Sequence, residues 1–287
     1  MEFLSSIEPY LAVAIFLTAC CLSLFHFMSS SPSPKLDTTF RKFPVLSRKV
    51  VNRGDRPVIF LTLGVSTKSL PTGAHVKVRA VVNGEEVQRS YTPTRFHSGE
   101  CELMFRVYPN GPMTTHLAGL HPGDTVEMRG PTGLERYGGK GPGTFSRGEQ
   151  EWRGITHIAM LSGGTGITPM LQIANHVLQN KADPTVVTLL SFTTTASDIM
   201  LQDTLQDLQA ASSGRLNVKY ICSKAAPEEL EKNVLKGSMR GLSEGALVEL
   251  LGVPTGEQTM VCICGPDGFT EQAKELCDSR FKHVLVW

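Results

Sequence analysis

The hydrophobic pattern divides the chain into three regimes. Residues 10–28, opening on Tyr10 and closing on Met28, read YLAVAIFLTACCLSLFHFM and hold no Asp, Glu, Lys or Arg. As a helix this run would span about 28 Å, close to the hydrocarbon thickness of a bilayer. A membrane helix is therefore predicted. The residues before it include Glu2 and Glu8 and no basic residue, which argues against a cleaved signal peptide and against a mitochondrial presequence. The first basic residues after it are Lys35, Arg41 and Lys42, so the positive-inside rule places the rest of the chain in the cytosol. Residues 29–34 (SSSPSP) cannot build a core and read as a linker.

From Phe40 to about Arg129 the pattern is that of short strands. Residues 56–63 are rich in strand formers. Residues 75–82 alternate, with Val76, Val78, Ala80 and Val82 on one face and Lys77 and Arg79 on the other. Asn83-Gly84 then supplies a tight hairpin turn. Residues 101–108 and 125–129 are further strands. Close spacing with turn residues between favours a small antiparallel barrel. Residues 138–149 (GGKGPGTFSRGE) are Gly-rich and nearly without aliphatics, and read as a domain boundary or a mobile loop.

Beyond that point strand and helix alternate. Strands are predicted over 155–161, 185–191, 216–222, 259–264 and 284–286, and helices over 169–180, 198–211, 243–251 and 266–279. The first helix presents Met170, Ile173, Ala174, Val177 and Leu178 on one face. Such alternation implies a parallel sheet with helices on both sides. The expected organisation is 1–34 anchor and linker, 35–150 antiparallel domain and 151–287 α/β domain.

Composition narrows the function classes. A net charge of +1 gives no general attraction to nucleic acid. The charge is uneven, however: residues 35–150 carry 17 Lys and Arg against 10 Asp and Glu, while residues 151–287 carry 11 against 15. Two domains with different partners, or ordinary solvated surface, both account for this. Seven scattered cysteines make a poor disulfide framework and suit a reducing compartment. Two of them, Cys20 and Cys21, lie in the apolar run. The eight histidines form no metal-ligand spacing, so no metal site is predicted.

Four short motifs carry candidate chemistry. Gly163-Gly164-Thr165-Gly166-Ile167-Thr168-Pro169 follows a buried strand and opens a helix. Its glycines permit a tight turn and close approach of a pyrophosphate, with free N–H groups at the helix start. Thr168 is expected to cap that helix and Pro169 to sit in its first turn. A Gly-rich turn serving only close packing is the alternative. Cys262-Ile263-Cys264-Gly265-Pro266 ends the penultimate strand, where ligands of parallel sheets bind. Two small buried hydrophobes explain the cysteines equally well. Arg89-Ser90-Tyr91-Thr92-Pro93 sets a cation, an aromatic plane and a hydroxyl in a row, as a flavin requires. Gly111-Pro112-Met113-Thr114-Thr115 reads as a loop opening a short helix, a second phosphate cradle. A β-edge proline and a capped helix explain these last two motifs without function.

In this order, RSYTP, GPMTT, GGTGITP and CGP, over a barrel followed by an α/β domain, the chain resembles the ferredoxin–NADP reductase superfamily. Within it, the chain resembles the NADH–cytochrome b5 reductases. The likeness runs from about Phe40 to Trp287 and takes in Leu70-Pro71 with Gly73 and His75, and the run Arg129-Gly130-Pro131-Thr132-Gly133-Leu134. The resemblance implies an enzyme binding FAD and NADH, and cytochrome b5 or a similar acidic one-electron acceptor as partner; NADPH as a further donor is the expectation from Ser223-Lys224, a hydroxyl beside a cation that would suit a 2′-phosphate. It implies anchorage in the endoplasmic reticulum or the mitochondrial outer membrane. Arg89 and Ser90 would serve the FAD pyrophosphate side, Tyr91 would pack on the isoalloxazine, and Thr92 would bond near its N5. Met104, Arg106 and Tyr108 would be flavin-contacting. Gly111, Met113 and Thr114 would bind the diphosphate, and Thr168 would reach the flavin from the second domain. Gly164, Thr165 and Gly166 would cradle the nicotinamide nucleotide. Cys264, Gly265 and Pro266 would flank the nicotinamide, so Thr92 and Cys264 stand nearest the chemistry. The chain ends on Trp287 where Phe is usual in this family. Two departures stand out. Ser223-Lys224 occupies the place of an acidic residue that binds the adenosine ribose, and Pro112 replaces a lysine of animal members. A reductase of the same fold serving another haem protein or a quinone, and a membrane-tethered scaffold without activity, are the competing readings.

Overall fold

The computed structural model describes residues 33–51, 56–97, 99–230 and 233–287. The apolar run from Tyr10 to Met28, with Cys20 and Cys21, lies outside the described residues. Among the described residues no helix is long and apolar enough to cross a membrane. Residues 34–287 form one unit made of two lobes.

The first lobe is built from β1 (Arg41–Val51), β2 (Val58–Val65), β3 (His75–Val82), β4 (Glu85–Tyr91), β5 (Arg95–His97), β6 (Gly99–Arg106), the short helix α1 (Pro112–Ala118) and β7 (Thr125–Thr132). The strands form one antiparallel sheet in the order β4-β3-β7-β1-β2-β6-β5. It is an open, curled sheet and not the closed barrel expected from strand spacing. Register shifts at Val45/Ser47 and at His75/Lys77 bend it. The edge strand β4 stays free on one side, and that edge carries Arg89 and Tyr91. The concave face holds Phe43, Leu61, Leu63, Val76, Val78, Leu103, Phe105 and Met128. β2 is buried almost throughout because its two faces are both covered, Ile59, Leu61, Leu63 and Val65 by the first lobe's own core and Val58 and Phe60 by the second lobe.

A three-stranded sheet joins the lobes: β8 (Glu135–Tyr137), β9 (Phe145–Arg147) and β10 (Gln150–Trp152). It brackets the segment expected as a boundary or mobile loop, and β9 lies within it. The reason is Phe145, fully buried and edge-on to Tyr137 at 4.8 Å. The Tyr137 hydroxyl in turn donates to Asp183 Oδ2 in the second lobe at 2.6 Å.

The second lobe runs β11 (His157–Gly163), α2 (Ile167–Gln179), β12 (Val186–Thr193), α3 (Gln202–Ala211), β13 (Leu216–Cys222), β14 (Val234–Lys236), α4 (Glu244–Leu251), β15 (Thr259–Cys264), α5 (Asp267–Asp278) and β16 (His283–Val286). The sheet is parallel, in the order β14-β13-β12-β11-β15-β16. Chain order reverses beside β11, which makes the C-terminal ends of β11 and β15 a crevice suited to ligands. Successive β11 residues alternate between two cores. Ile158 and Met160 face α2 and α3, while Ala159 and Leu161 face α4 and α5. The first of these cores also takes in Val58 and Met104 of the first lobe, so apolar burial continues from lobe to lobe. Two helix starts differ from expectation. α2 begins at Ile167, and α3 begins at Gln202 because Leu201 adopts φ 58° and breaks the run.

Candidate functional site

Between β4, β6, α1 and the C-terminal ends of β11 and β15 lies a cavity of about 820 Å³. Arg89, Ser90, Tyr91, Thr92, Met104, Arg106, Tyr108, Gly111, Met113 and Thr114 line it from the first lobe, and Thr165, Gly166, Thr168, Cys264, Gly265 and Pro266 from the second. Of the residues given a flavin or nicotinamide role in the sequence, Gly164 is absent from the lining, and so are Ser223 and Lys224 at the expected ribose position. His75, Phe105, Asn110, Glu135 and Trp287 also line it. Glu135 had no signal in the sequence, because its burial comes from β8 folding back onto the site.

β4 is an edge strand, so its side chains reach past the sheet. The Arg89 guanidinium is exposed, bonds only the Gln88 carbonyl (2.8 Å) and has no carboxylate partner among the described residues. Two residues on, Tyr91 sits edge-on to Phe105 at 6.2 Å, and burial pushes its phenol up. On β6 the alternation sends Leu103 and Phe105 into the sheet's core and Met104 and Arg106 toward the second lobe. Arg106 there binds Asp198: NH1 meets Oδ1 at 2.8 Å and NH2 meets the backbone carbonyl at 2.9 Å. An arginine expected to serve the flavin is thus committed across the lobes. β6 ends at Arg106, so Tyr108 lies on the following turn and not on the strand. Arg56 stacks over its ring at 5.1 Å.

α1 opens on Gly111, which offers no capping side chain. Thr114 Oγ1 donates to the Gly111 carbonyl (3.1 Å) and accepts from Tyr108 N (3.2 Å), which folds the turn tightly. A Cβ at residue 111 would stand 2.6 Å from that oxygen and 3.1 Å from Tyr108 Cβ, so a side chain there would displace the Thr114 hydroxyl from the turn. In the second lobe Gly164–Gly166 forms a single 3-10 turn before α2. Thr168 is not the helix cap. It lies inside the first turn of α2 and its hydroxyl donates to the Thr165 carbonyl at 3.3 Å. The two Gly-rich loops meet backbone to backbone, Gly166 against Cys264 and Gly163 against Gly265.

Burial shifts three titratable groups at the site, Tyr91, His75 and Cys264, toward their neutral forms. Burial pushes the Cys264 thiol up to about 12, so it is not a thiolate at neutral pH. Burial likewise holds the His75 imidazole below its ordinary value, against the opposing pull of Glu135. The Glu135 carboxylate pairs with Arg147 at 3.2 Å. Trp287 is anchored twice, by its amide on the Ile263 carbonyl (2.9 Å) and by Nε1 on the Gly73 carbonyl (3.3 Å). Among the described residues no group of three or more His, Cys, Asp or Glu could hold a metal ion.

Comparison with known proteins agrees with this layout. Residues 43–137 match the family described as "Oxidoreductase FAD-binding domain" and residues 160–275 the family described as "Oxidoreductase NAD-binding domain". The chain is similar to NADH-cytochrome b5 reductase 1 of Laccaria bicolor, at 30% identity over 89% of this chain and 77% of that protein. It is similar to NADH-cytochrome b5 reductase 1 of Dictyostelium discoideum, at 34% identity over 79% and 73%. NADH-cytochrome b5 reductase 3 of Rattus norvegicus is 30% identical over 84% and 83%. Among solved structures, the cytochrome b5 reductase domain of Ulva prolifera nitrate reductase superposes with a TM-score of 0.76 at 25% identity, covering 89% of this chain and all of that one. The edge-strand arginine and tyrosine, the two interlocked glycine loops and this sustained similarity lead to one conclusion: the chain belongs to the NADH-cytochrome b5 reductase family.

Proposed function

We propose that this protein is an FAD-dependent oxidoreductase that takes a hydride from NADH and delivers single electrons to cytochrome b5. The single observation that carries this is the cavity shared by β4 and the β11–β15 crevice. It brings a free guanidinium, a half-buried aromatic ring, a hydroxyl and a neutral thiol to one space. The residues fit FAD: the volume suits a large cofactor, and among the described residues Arg89 has no carboxylate partner that would compete with a phosphate. Bound there, FAD would accept two electrons from a nicotinamide and release them one at a time.

The chain supplies binding, orientation and exclusion of water. Arg89 and Ser90, with the turn at Gly111, Met113 and Thr114, hold the diphosphate. Tyr91 packs on the ring system and Thr92 bonds at its reactive edge. Met104 and Tyr108 border the flavin, and Thr168 meets it from the second lobe. Gly164, Thr165 and Gly166 receive the nicotinamide nucleotide, and Cys264, Gly265 and Pro266 bound the nicotinamide. The neutral Cys264 thiol leaves a dry, uncharged wall beside the transferring hydride.

Residues 35–150 make the FAD domain and residues 151–287 the NAD(P)H domain. The basic excess over 35–150 suits an acidic one-electron acceptor. Residues 10–28 anchor the protein in the endoplasmic reticulum or mitochondrial outer membrane with its lobes in the cytosol, a reading supported by their uncharged composition. Ser223-Lys224, a hydroxyl beside a cation, lets NADPH serve as a second donor.

The test is an anaerobic absorption titration of the purified protein. Flavin bands should bleach on NADH and recover when oxidised cytochrome b5 is added. Bleaching without reduction of the cytochrome would remove the named acceptor. A protein that neither retains nor takes up FAD would overturn the reading as a whole.

A further inference from the structure

We propose that the Arg106–Asp198 pair is a positioning device that pins the turn after β12 to strand β6. It thereby sets where a dinucleotide on the second lobe lies relative to the flavin cavity on the first. The inference rests on the function proposed above for its consequence, and on geometry alone for the pin itself.

The lobes meet here along an apolar seam. Val58 and Met104 of the first lobe pack in one cluster with Ile199 and Met200 of the second. Apolar contact is non-directional, so such a seam resists separation far more than sliding. The ion pair lies at the end of this seam and has the directionality the seam lacks. Two nitrogens of one planar guanidinium meet a side-chain and a backbone oxygen of one residue, at 2.8 and 2.9 Å. Both side chains are nearly excluded from solvent, at 8% and 11% exposure. A buried pair of this kind seldom adds stability over apolar side chains of similar size. The arrangement is also incomplete, since Arg106 Nε is buried with no partner at the wall of the cavity. A group that is costly to bury, and only partly satisfied, is better explained by orientation than by stability.

Asp198 passes this constraint onward. Its Oδ2 accepts from Thr195 Oγ1 at 2.9 Å, and Thr193 Oγ1 donates to the Thr195 carbonyl at 3.1 Å. The Thr193 and Thr194 carbonyls accept from Ser223 N (3.1 Å) and Lys224 N (2.7 Å). A continuous set of hydrogen bonds therefore runs from the flavin-side strand β6 to the loops after β12 and β13. Those loops lie at the C-terminal ends of the parallel strands, where the nucleotide is bound. Arg106 and Asp198 act through this turn and need not touch the reacting atoms.

The experiment compares the full-length protein with Arg106→Met, Asp198→Asn, the double variant and Arg106→Lys. The first readout is amide hydrogen exchange without added nucleotide. Arg106→Met should speed exchange over residues 193–199, although the substitution is on the other lobe. The second readout is the stopped-flow rate of flavin bleaching by NADH, with flavin content measured separately. Each single substitution should slow bleaching by roughly 10- to 100-fold with flavin retained. The double variant should be no slower than the worse single, and Arg106→Lys should recover part of the rate. Exchange changes confined to the substituted lobe, or single effects that multiply in the double variant, would overturn the pin. Asp198→Asn is nearly isosteric and decides the matter should Arg106→Met not fold. A wild-type protein that does not bleach with NADH would overturn the function proposed above, while the exchange arm would still decide for or against the pin.

Discussion

Gly166 stands so close to Cys264 that a Cβ added to it would lie 2.1 Å from the Cys264 carbonyl oxygen. The obstacle is backbone, not the end of a flexible side chain, so it cannot swing away. Gly166→Ala must therefore part the two loops that converge on the cavity. Overpacking of this kind costs about 1–3 kcal/mol, and the displaced Cys264 loop should raise the KM for NADH. Gly164 differs. Its Cβ would meet open space, but its φ of 55° is left-handed, so Gly164→Ala should cost about 1–2 kcal/mol from backbone conformation alone. Thermal unfolding and steady-state kinetics on both variants check the contrast, and equal KM values would remove the proposed role of the close contact.

Arg89 has one hydrogen bond, to its neighbour's carbonyl, and no ion pair among the described residues. Removing it therefore leaves no buried charge stranded, and the folded protein should hardly notice. The loss should fall on FAD. A charge-assisted hydrogen bond is worth about 1.5–3 kcal/mol, so Arg89→Met should bind FAD roughly 10- to 100-fold more weakly. The ratio of flavin to protein absorbance after gel filtration, together with the unfolding temperature of the flavin-free protein, separates the two effects. A drop in the latter would mean that Arg89 is structural.

The local parts of this site were legible in the sequence, and the long-range parts were not. Gly163-Gly164-Thr165-Gly166 and Cys264-Gly265-Pro266 stood out because a close backbone approach demands glycine wherever it occurs, and the turn at Gly111 is recognisable for the same reason. The parallel sheet followed from the alternation of buried strands and amphipathic helices. β1 was not resolved as a strand because only Phe43 and Val45 are buried among its eleven residues. The β8–β10 sheet was hidden because its strands are three residues long, and Phe145 and Tyr137 are buried by contacts outside their own segment. The Arg106–Asp198 pair was hidden because no local pattern reveals a partner 92 residues away.

The Cys264 thiol offers a pH prediction. Burial raises its pKa to about 12, and the backbone N–H of Gly265 opposes this only in part. A raised pKa keeps the proton on sulfur, so the thiolate fraction stays small at every pH below that value. Between pH 7 and pH 9 iodoacetamide should alkylate Cys264 far more slowly than an exposed cysteine with the ordinary value of 9.0. Cys222 is raised as well, and Cys101, Cys222, Cys262 and Cys277 are all buried. The folded protein should therefore resist labelling at all five positions until it is unfolded. Mass spectrometry of labelled peptides reads this directly. Rapid labelling at Cys264 near pH 7 would reveal a reactive thiolate and overturn the assignment of a neutral wall.

The last prediction concerns the donor. Lys224 is exposed and has no ion pair among the described residues, and its amide is tied to Thr194 at 2.7 Å. Ser223 beside it bonds the same loop through its amide and its hydroxyl, at 3.1 and 3.4 Å. The loop is thus held in place while the ammonium stays free, which suits a 2′-phosphate and does nothing for a ribose hydroxyl. Lys224→Glu should lower kcat/KM for NADPH by roughly 10- to 100-fold, from the loss of a charge-assisted bond and the added repulsion. The same change should leave NADH unchanged or improve it, because a carboxylate can accept from the 2′-hydroxyl. The wild-type protein should accordingly discriminate between the two donors by less than about a thousandfold, which corresponds to roughly 4 kcal/mol. A larger preference for NADH, or a Lys224→Glu variant that alters both donors equally, would mean that the lysine lies off the path of the nucleotide.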